Sequence, residues 1–213
     1  MFLIGVGHRQ NVWGIIAKNI PQRNPEGKRR RTDMPITTIL TPPVITRDGR
    51  LITIRLMQSD DKDALLAFGS ALPEEDWLYL ESDMRSADTV ARLANAQGAE
   101  HWRQVVAVDG DRIAAYASIR MQAGRYSHVA AVQMVVGEAW RRQGLGRAMG
   151  AVIVAEAQRL QASKIIAEML EAQRNGQAIF AHLGFRTEGT LIAHARDRFG
   201  KRHNLVVMAL VIE

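Results

Sequence analysis

The sequence contains no cysteine among its 213 residues. Disulfide bonds, thiolate metal ligands and a covalent cysteinyl intermediate are therefore excluded, and a reducing, cytoplasmic location is expected. No apolar run approaches the roughly 18 residues of a membrane-spanning helix, so no membrane association is expected. A Gly-Lys-Ser/Thr triplet is also absent, which excludes the Walker-type phosphate loop.

Positive charge is concentrated at one end of the chain, which carries a net charge of +6. Residues 1–50 hold nine Lys/Arg against three Asp/Glu, whereas residues 51–213 hold nineteen of each. We therefore expect no nucleic-acid binding by the neutral body of the protein. Residues 1–43 are expected to form a basic, disordered extension, followed by one domain over residues 44–213.

The basic run Lys28-Arg29-Arg30-Arg31 leaves the role of residues 1–33 open. A transit peptide or a nucleic-acid patch would explain the run. A disordered tail, or an upstream extension with the natural start at Met34, also explains it, and the low apolar content and high charge of the segment favour these interpretations.

Hydrophobic periodicity predicts an α+β domain with an αβα arrangement. Short strands flank an Asp-Gly turn near residues 44–56, and three helical segments follow. The later predicted elements are strands near 104–108, 112–120 and 128–136, a helix at 145–161, a strand at 165–170, a helix at 175–183, and strands at 185–194 and 203–211. A crossover helix makes its two flanking strands parallel. The prediction is a mixed, mostly antiparallel central sheet with one parallel crossover.

The chain between a predicted strand and the long helix is rich in glycine and arginine. We call residues 141–147 the glycine loop; it contains Gly144, Gly146 and three arginines. The unpaired N–H groups and the positive dipole of a helix N-terminus favour an anion, and glycine permits its close approach. The pattern therefore predicts a phosphate site. The dinucleotide-binding fingerprint G-x-G-x-x-G does not fit, because three residues rather than two separate Gly146 from Gly150.

These residues resemble the GNAT (Gcn5-related) N-acetyltransferase superfamily. Arg141-x-x-Gly144-x-Gly146 is similar to the acyl-CoA loop of the family, and residues 180–185 are similar to its aromatic-x-x-x-Gly-Phe segment. The order of the predicted elements agrees from about residue 50 onward. Residues 47–55 also resemble the start of protein-acetyltransferase-type GNAT domains.

The resemblance implies the GNAT fold and an enzyme that moves an acetyl group directly from acetyl-CoA to a primary amine within a ternary complex. The amine would lie on a small molecule, a protein lysine or an N-terminus. Acetyl-CoA is implied as co-substrate, with no metal, and a homodimer is allowed. An acyl-CoA-binding regulatory module without transfer activity is the alternative.

The implied acetyl-CoA contacts combine the glycine loop with the splayed parallel strands of the family. Loop N–H groups would hold the pyrophosphate, loop arginines would approach the outer phosphates, and free main-chain groups near Met134 and Val136 would pair with pantetheine. Near the next helix, Gln173 stands where the family often has an asparagine, and Asn175 is either a contact or a helix cap. The full candidate set is Met134, Val135, Val136, Arg141, Arg142, Gln143, Gly144, Leu145, Gly146, Arg147, Gln173 and Asn175.

The catalytic candidates depart from the family pattern. Phe180 stands where a tyrosine usually protonates the leaving thiolate, so Tyr126, Tyr116, water or unassisted departure remain as alternatives. Gln133 replaces the common glutamate of the strand before the loop, and can only position water or the acceptor. Glu168 is the carboxylate best placed to act as base. The three histidines that could substitute for it are His128, His194 and His203.

Two regions are candidates for contact with the acceptor. The first interleaves acidic and aromatic residues: Glu74, Glu75, Asp76, Trp77, Tyr79, Glu81 and Asp83. They would suit an amine or a basic peptide, but a solvated helix face explains them equally well. The second is residues 194–203, which could contact an acceptor carboxylate or only furnish a charged hairpin.

Overall fold

The computed structural model describes residues 38–80, 82–96, 98–197 and 199–212. The helices are α1 (Lys62–Ala71), α2 (Ala87–Asn95), α3 (Leu145–Arg159) and α4 (Arg174–His182). The strands are β1 (Val44–Ile45), β2 (Leu51–Leu56), β3 (Trp102–Asp109), β4 (Arg112–Met121), β5 (Val129–Val136), β6 (Lys164–Leu170), β7 (Arg186–Arg196) and β8 (Arg202–Val211). Short 3-10 turns include Glu74–Tyr79, which we call the acidic segment.

The described strands form one 8-stranded sheet in the order β1-β2-β3-β4-β5-β6-β8-β7. Neighbouring strands are antiparallel except β5 and β6, which are joined by the α3 crossover and run parallel. The predicted mixed sheet with one parallel crossover is therefore confirmed. The ends of the elements differ from prediction by one or two residues, as where α3 stops at Arg159 and α4 starts at Arg174.

Two hydrophobic cores cover the two faces of the sheet. On one face, α3 and α4 pack Met149, Ile153 and Phe180 against the sheet. On the other face, α1 and α2 pack Phe68 and Leu93 against β3, β4 and β5. Side chains alternate between faces along each strand, so the assignment of one strand residue to a core fixes the direction of its neighbours. We refer below to the α3/α4 face and the α1/α2 face.

Residues 38–40, which the sequence analysis assigns to the extension, lie against the sheet. Leu40 N–H donates to the carbonyl of Ile54, and Leu56 N–H donates to the carbonyl of Thr38, both at 3.0 Å. The predictions for residues 1–37, including the basic run, lie outside the described residues. No helix in the described part of the chain combines the length and apolar character needed to cross a membrane.

The turn between β1 and β2 is fixed by local polar contacts. Gly49 has φ +85°, a left-handed conformation that glycine adopts without strain. Asp48 accepts a hydrogen bond from Nε of Arg50 at 2.9 Å and another from the hydroxyl of Thr46. The Arg50 guanidinium, with help from Thr46, lowers the pKa of Asp48 from 3.8 to about 2.

We expect the Asp48 contacts to make folding stability depend on acid. Because the folded pKa is depressed, their contribution is fully present above the unfolded pKa of 3.8 and is lost as the pH falls through about 2. Thermal unfolding of the wild type and of Asp48→Asn should therefore differ most above 3.8 and converge as the pH approaches 2. A melting-temperature difference that does not change over this range would contradict the role assigned to Asp48.

Candidate functional site

The parallel strands β5 and β6 separate before β5 ends. Their pairing runs from Val129 opposite Lys164 to Val132 opposite Ala167 and goes no further. β4 continues to pair with β5 as far as Val136, and β8 pairs with all of β6. A gap therefore opens in the middle of the sheet, and it leads along the last four residues of β5 towards the glycine loop.

The main chain of β5 directs hydrogen-bonding groups into this gap. Gly137 N–H donates to the carbonyl of Ala114 at 2.9 Å, so by the alternation of an antiparallel ladder Met134 and Val136 direct their groups away from β4. The carbonyl of Val136 accepts a hydrogen bond from Nε of Arg141 at 3.0 Å. The gap therefore offers both main-chain groups of Met134 and the N–H of Val136.

The glycine loop presents a series of main-chain N–H groups at the N-terminus of α3. Gly144 has φ +91° and the non-glycine residue Arg142 has φ +58°. Arg147 N–H and Ala148 N–H both donate to the carbonyl of Gly144, whereas within the described chain the N–H groups of residues 142–146 meet no acceptor. Such a row of donors at a positive helix end can bind an anion.

Gly146 lies where the first turn of α3 approaches α4 closely. A Cβ atom at this position would lie 3.0 Å from Cδ1 of Ile179. An added methyl group would therefore require the end of the Ile179 side chain to move by a few tenths of an ångström. The two glycines of the motif thus have different roles: Gly144 allows the turn, and Gly146 allows the approach of the neighbouring helix.

The three arginines of the loop have different environments. Arg141 points inward and, besides the carbonyl of Val136, binds the carboxylate of Asp76. Arg142 and Arg147 are exposed. Arg147 contacts the imidazole of His182 on α4. Arg142 and Arg147 can therefore reach an anion bound at the loop. The guanidinium of Arg141 is already bound to other parts of the protein.

The β1–β2 turn braces the outer side of the loop. Arg47 donates its N–H to the carbonyl of Gln143 at 3.3 Å, and Arg50 donates to the carbonyl of Ala139 at 2.7 Å. Trp140 Nε1 donates to Asp109 at 2.9 Å, with the guanidinium of Arg50 5.5 Å from the centre of its ring. These contacts hold the loop and the turn before it from the β1–β2 turn and from the end of β3, and they place the cation of Arg47 beside the loop.

Gln133 and Glu168 lie on the same face at the mouth of the gap. Val135 belongs to the core of the α1/α2 face, so Gln133 points to that face. Ala167 and Met169 belong to the opposite core, so Glu168 also points to the α1/α2 face. The two would form the next residue pair if the parallel ladder continued. The side chain of Glu168 is exposed, and its carboxylate forms no hydrogen bond or ion pair with another described residue.

The tyrosine candidates lie apart from this point. Tyr126 precedes β5 and is 56% exposed. It lies in the turn before Val129, the first residue of β5, and Gln133 is roughly 13 Å further along the strand. Tyr116 is buried, and its hydroxyl donates to Gln104 at 2.9 Å. The structure therefore does not bring Tyr126 together with Gln133 and Glu168.

Phe180 is a core residue. It is 4% exposed and makes an edge-to-face contact with Phe185, with ring centres 4.9 Å apart. Such aromatic pairs add to packing beyond the area that they bury.

The two amides near α4 have different surroundings. The side-chain oxygen of Gln173 accepts from the N–H of Leu170 at 2.7 Å. Asn175 is exposed in the first turn of α4, one residue past the first helical position, and does not cap the helix. The sequence analysis missed Gln177, whose amide donates to the carbonyl of Leu170 at 3.0 Å. The end of β6 is therefore held by one side chain just before α4 and by one within it.

Of the alternative bases, His128 lies at the other end of β5 from the gap, and His203 is already paired. His128 is an exposed residue just before β5. Nε2 of His203 lies 2.8 Å from the carboxylate of Asp197, within the turn of the last hairpin, and this contact lowers the pKa of Asp197. Asp197 also accepts the N–H groups of Phe199 and Lys201, each at 2.9 Å. Among the described residues, no cluster of potential metal ligands comes together.

The acidic segment lies over the α1/α2 face. Trp77 packs against the core of that face, and the segment approaches β6. The guanidinium of Arg85 covers the ring of Trp77, 4.2 Å from its centre. Asp76 is 4% exposed. Burial raises the pKa of Asp76, and the neighbouring Arg141 opposes this shift. Glu81 lies outside the described residues.

The chain was compared with known families and proteins. The model of the acetyltransferase (GNAT) family matches residues 62–185, more than half of the chain. This span includes the gap, the glycine loop and α4. Among curated proteins, no sequence relative is found.

Solved structures share the fold at low sequence identity. The GNAT domain of PAT from S. lividans is 21% identical with a TM-score of 0.67, and the match covers 80% of this chain and 96% of that one. An N-acetyltransferase from Staphylococcus aureus Mu50 is 16% identical with a TM-score of 0.68, covering 76% and 99% of the two chains. The protein yncA from Salmonella typhimurium, solved with its cofactor acetyl-CoA, is 18% identical with a TM-score of 0.65, covering 76% and 94%.

Proposed function

Because the chain belongs to the GNAT family of acetyltransferases, we propose that it transfers an acetyl group from acetyl-CoA directly to a primary amine within one ternary complex. The acceptor amine would belong to a small molecule, a protein lysine or an N-terminus. One observation carries the proposal. The unpaired edge of β5 leads directly into a row of main-chain donors at the N-terminus of α3.

The residues present fit the chemistry of acetyl-CoA. The N–H groups of residues 142–146 would hold the pyrophosphate, and Arg142 and Arg147 would approach the outer phosphates. The pantetheine arm carries amides, and these would pair with the main-chain groups that Met134 and Val136 direct into the gap. The thioester would then lie near the mouth of the gap, where an N–H group of β5 could polarise its carbonyl.

Glu168 is the proposed general base. It would accept a proton from the amine as the nitrogen forms a bond to the acetyl carbon, and the bond between that carbon and sulfur breaks. The coenzyme A thiolate would leave with the electron pair of that bond and take a proton from water, since Phe180 has none to give. Gln133 would orient the amine or a water molecule. The acidic residues Glu74 and Glu75 would favour a cationic acceptor over the same face.

We expect purified protein to release free thiol from acetyl-CoA in the presence of at least one amine in a panel of polyamines, amino acids and lysine-containing peptides. Acetyl-CoA affinity measured by calorimetry is the companion experiment. Binding without thiol release for any amine, at any pH tested, would favour the acyl-CoA-binding module. Failure to bind acetyl-CoA would contradict both functions.

A further inference from the structure

Arg141 connects three parts of the structure, and one of them, the acidic segment, is distant in sequence. Its backbone begins the glycine loop, its Nε donates to the end of β5, and its terminal amino group binds Asp76 in the acidic segment. The partner residues Asp76 and Val136 come from different elements. A planar guanidinium can hold two acceptors in fixed directions, which a lysine ammonium does less well.

Asp76 depends on this contact. Its side chain is 5% exposed, against 35% for Arg141. A buried carboxylate is strongly unfavourable without a partner, so movement of Arg141 away from Asp76 would leave an uncompensated charge. The position of the glycine loop and the position of the acidic segment therefore depend on each other.

The glycine loop and the acidic segment would contact different substrates in the proposed reaction. The glycine loop is where the phosphates of acetyl-CoA would bind. The acidic segment covers the face that carries Gln133 and Glu168, and it approaches β6 across the gap. An acceptor amine that reaches the thioester from this face must pass beside the acidic segment.

We propose that Asp76 and Arg141 are positioning residues through which acetyl-CoA binding at the glycine loop orders the acidic segment on the acceptor side. The proposal rests on the proposed function, because acetyl-CoA is its ligand. Acetyl-CoA binding fixes the loop, the fixed loop holds Arg141, and Arg141 holds Asp76. The acceptor then meets an ordered surface once the acyl donor is in place.

Hydrogen exchange with and without acetyl-CoA tests the coupling in the full chain, without knowledge of the acceptor. In the wild type we expect slower exchange at residues 142–148 and also at residues 74–80. The remote protection should be about fivefold or more, the lower end of usual couplings between sites. In Asp76→Asn, measured at saturating acetyl-CoA, the protection at 142–148 should remain while the protection at 74–80 is lost.

Asp83→Asn is the matched control. It is the same substitution close to the same segment, but Asp83 is half exposed and binds Arg85 rather than the glycine loop. It should retain the protection at residues 74–80. If Asp76→Asn does not fold, Arg141→Lys takes its place. This variant keeps the positive charge but removes the planar guanidinium that holds two acceptors, and it should likewise lose the protection at residues 74–80.

The possible results separate this inference from the proposed function. Absence of acetyl-CoA binding contradicts the function. Binding that protects only the loop in the wild type, or remote protection that survives in both Asp76→Asn and Arg141→Lys, overturns the coupling alone. Once an accepted amine is known, Asp76→Asn should raise KM for the amine more than KM for acetyl-CoA. A purely structural role would not produce that split.

Discussion

Replacing Glu168 by glutamine is expected to lower kcat about a hundredfold, the lower end of the usual contribution of a general base. The amide keeps the shape of the side chain but cannot accept the proton of the amine. Glu168 is exposed at the mouth of the gap, on β6 rather than in the glycine loop where the phosphates would bind. Its replacement should therefore not change the affinity for acetyl-CoA. Steady-state rates with the best amine of the panel and calorimetry with acetyl-CoA measure the two effects.

Glu171→Gln provides the control for Glu168. Glu171 follows the same strand, is exposed, and accepts a hydrogen bond from Asn204 at 3.0 Å, which glutamine can also accept. Its kcat should stay within about twofold of the wild type, as for an ordinary surface substitution. If Glu168→Gln behaved like this control, Glu168 would not be the base, and water or another group would remove the proton.

Replacing Gly144 by aspartate is expected to weaken acetyl-CoA binding about thirtyfold relative to replacement by asparagine. Both residues tolerate the left-handed conformation better than other side chains do, and a Cβ at Gly144 would meet no atom within 4 Å. The two variants differ by one charge. A charge about 5 Å from a phosphate repels it by about 3 kcal/mol at an effective dielectric constant of about 20, and screening reduces this to about 2 kcal/mol.

Equal affinities of the two Gly144 variants would show that no phosphate lies at the loop. The difference should also shrink as salt is added, because the charges at this site are exposed. Measurement of both dissociation constants at two salt concentrations therefore tests the electrostatic origin of the effect. The comparison with asparagine removes the contribution of any backbone strain.

Local sequence patterns predicted much of the fold. Alternating apolar residues marked the strands, and the Asp-Gly turns marked the hairpins, because both signals depend on neighbouring residues. The glycine loop was also predictable, since a left-handed residue such as Gly144 and a close helix contact such as that of Gly146 both favour glycine. Parallel pairing of β5 and β6 followed from the crossover helix.

Contacts between distant residues were not predictable. Arg141 was expected beside phosphate, but it binds Asp76, which lies 65 positions earlier in the chain. Tyr126 was proposed from residue type alone, and only the direction of β5 shows how far it lies from the gap. Residues 38–40 lack a strand pattern, yet β2 pairs with them. In each case the partner is supplied by the tertiary structure.

The separation of β5 from β6 also has a mechanical meaning. The sheet consists of two antiparallel halves, β1–β5 and β6–β8, and the ladder between them contains four residue pairs, Val129–Val132 with Lys164–Ala167. A seam with so few hydrogen bonds is the place where the sheet should open at the lowest free energy. A long, amide-containing ligand along this seam would join the halves as a partial extra strand. Transfer of its acyl group would not remove the ligand from between β5 and β6. The two strands should therefore separate again when the product leaves, and not during acyl transfer.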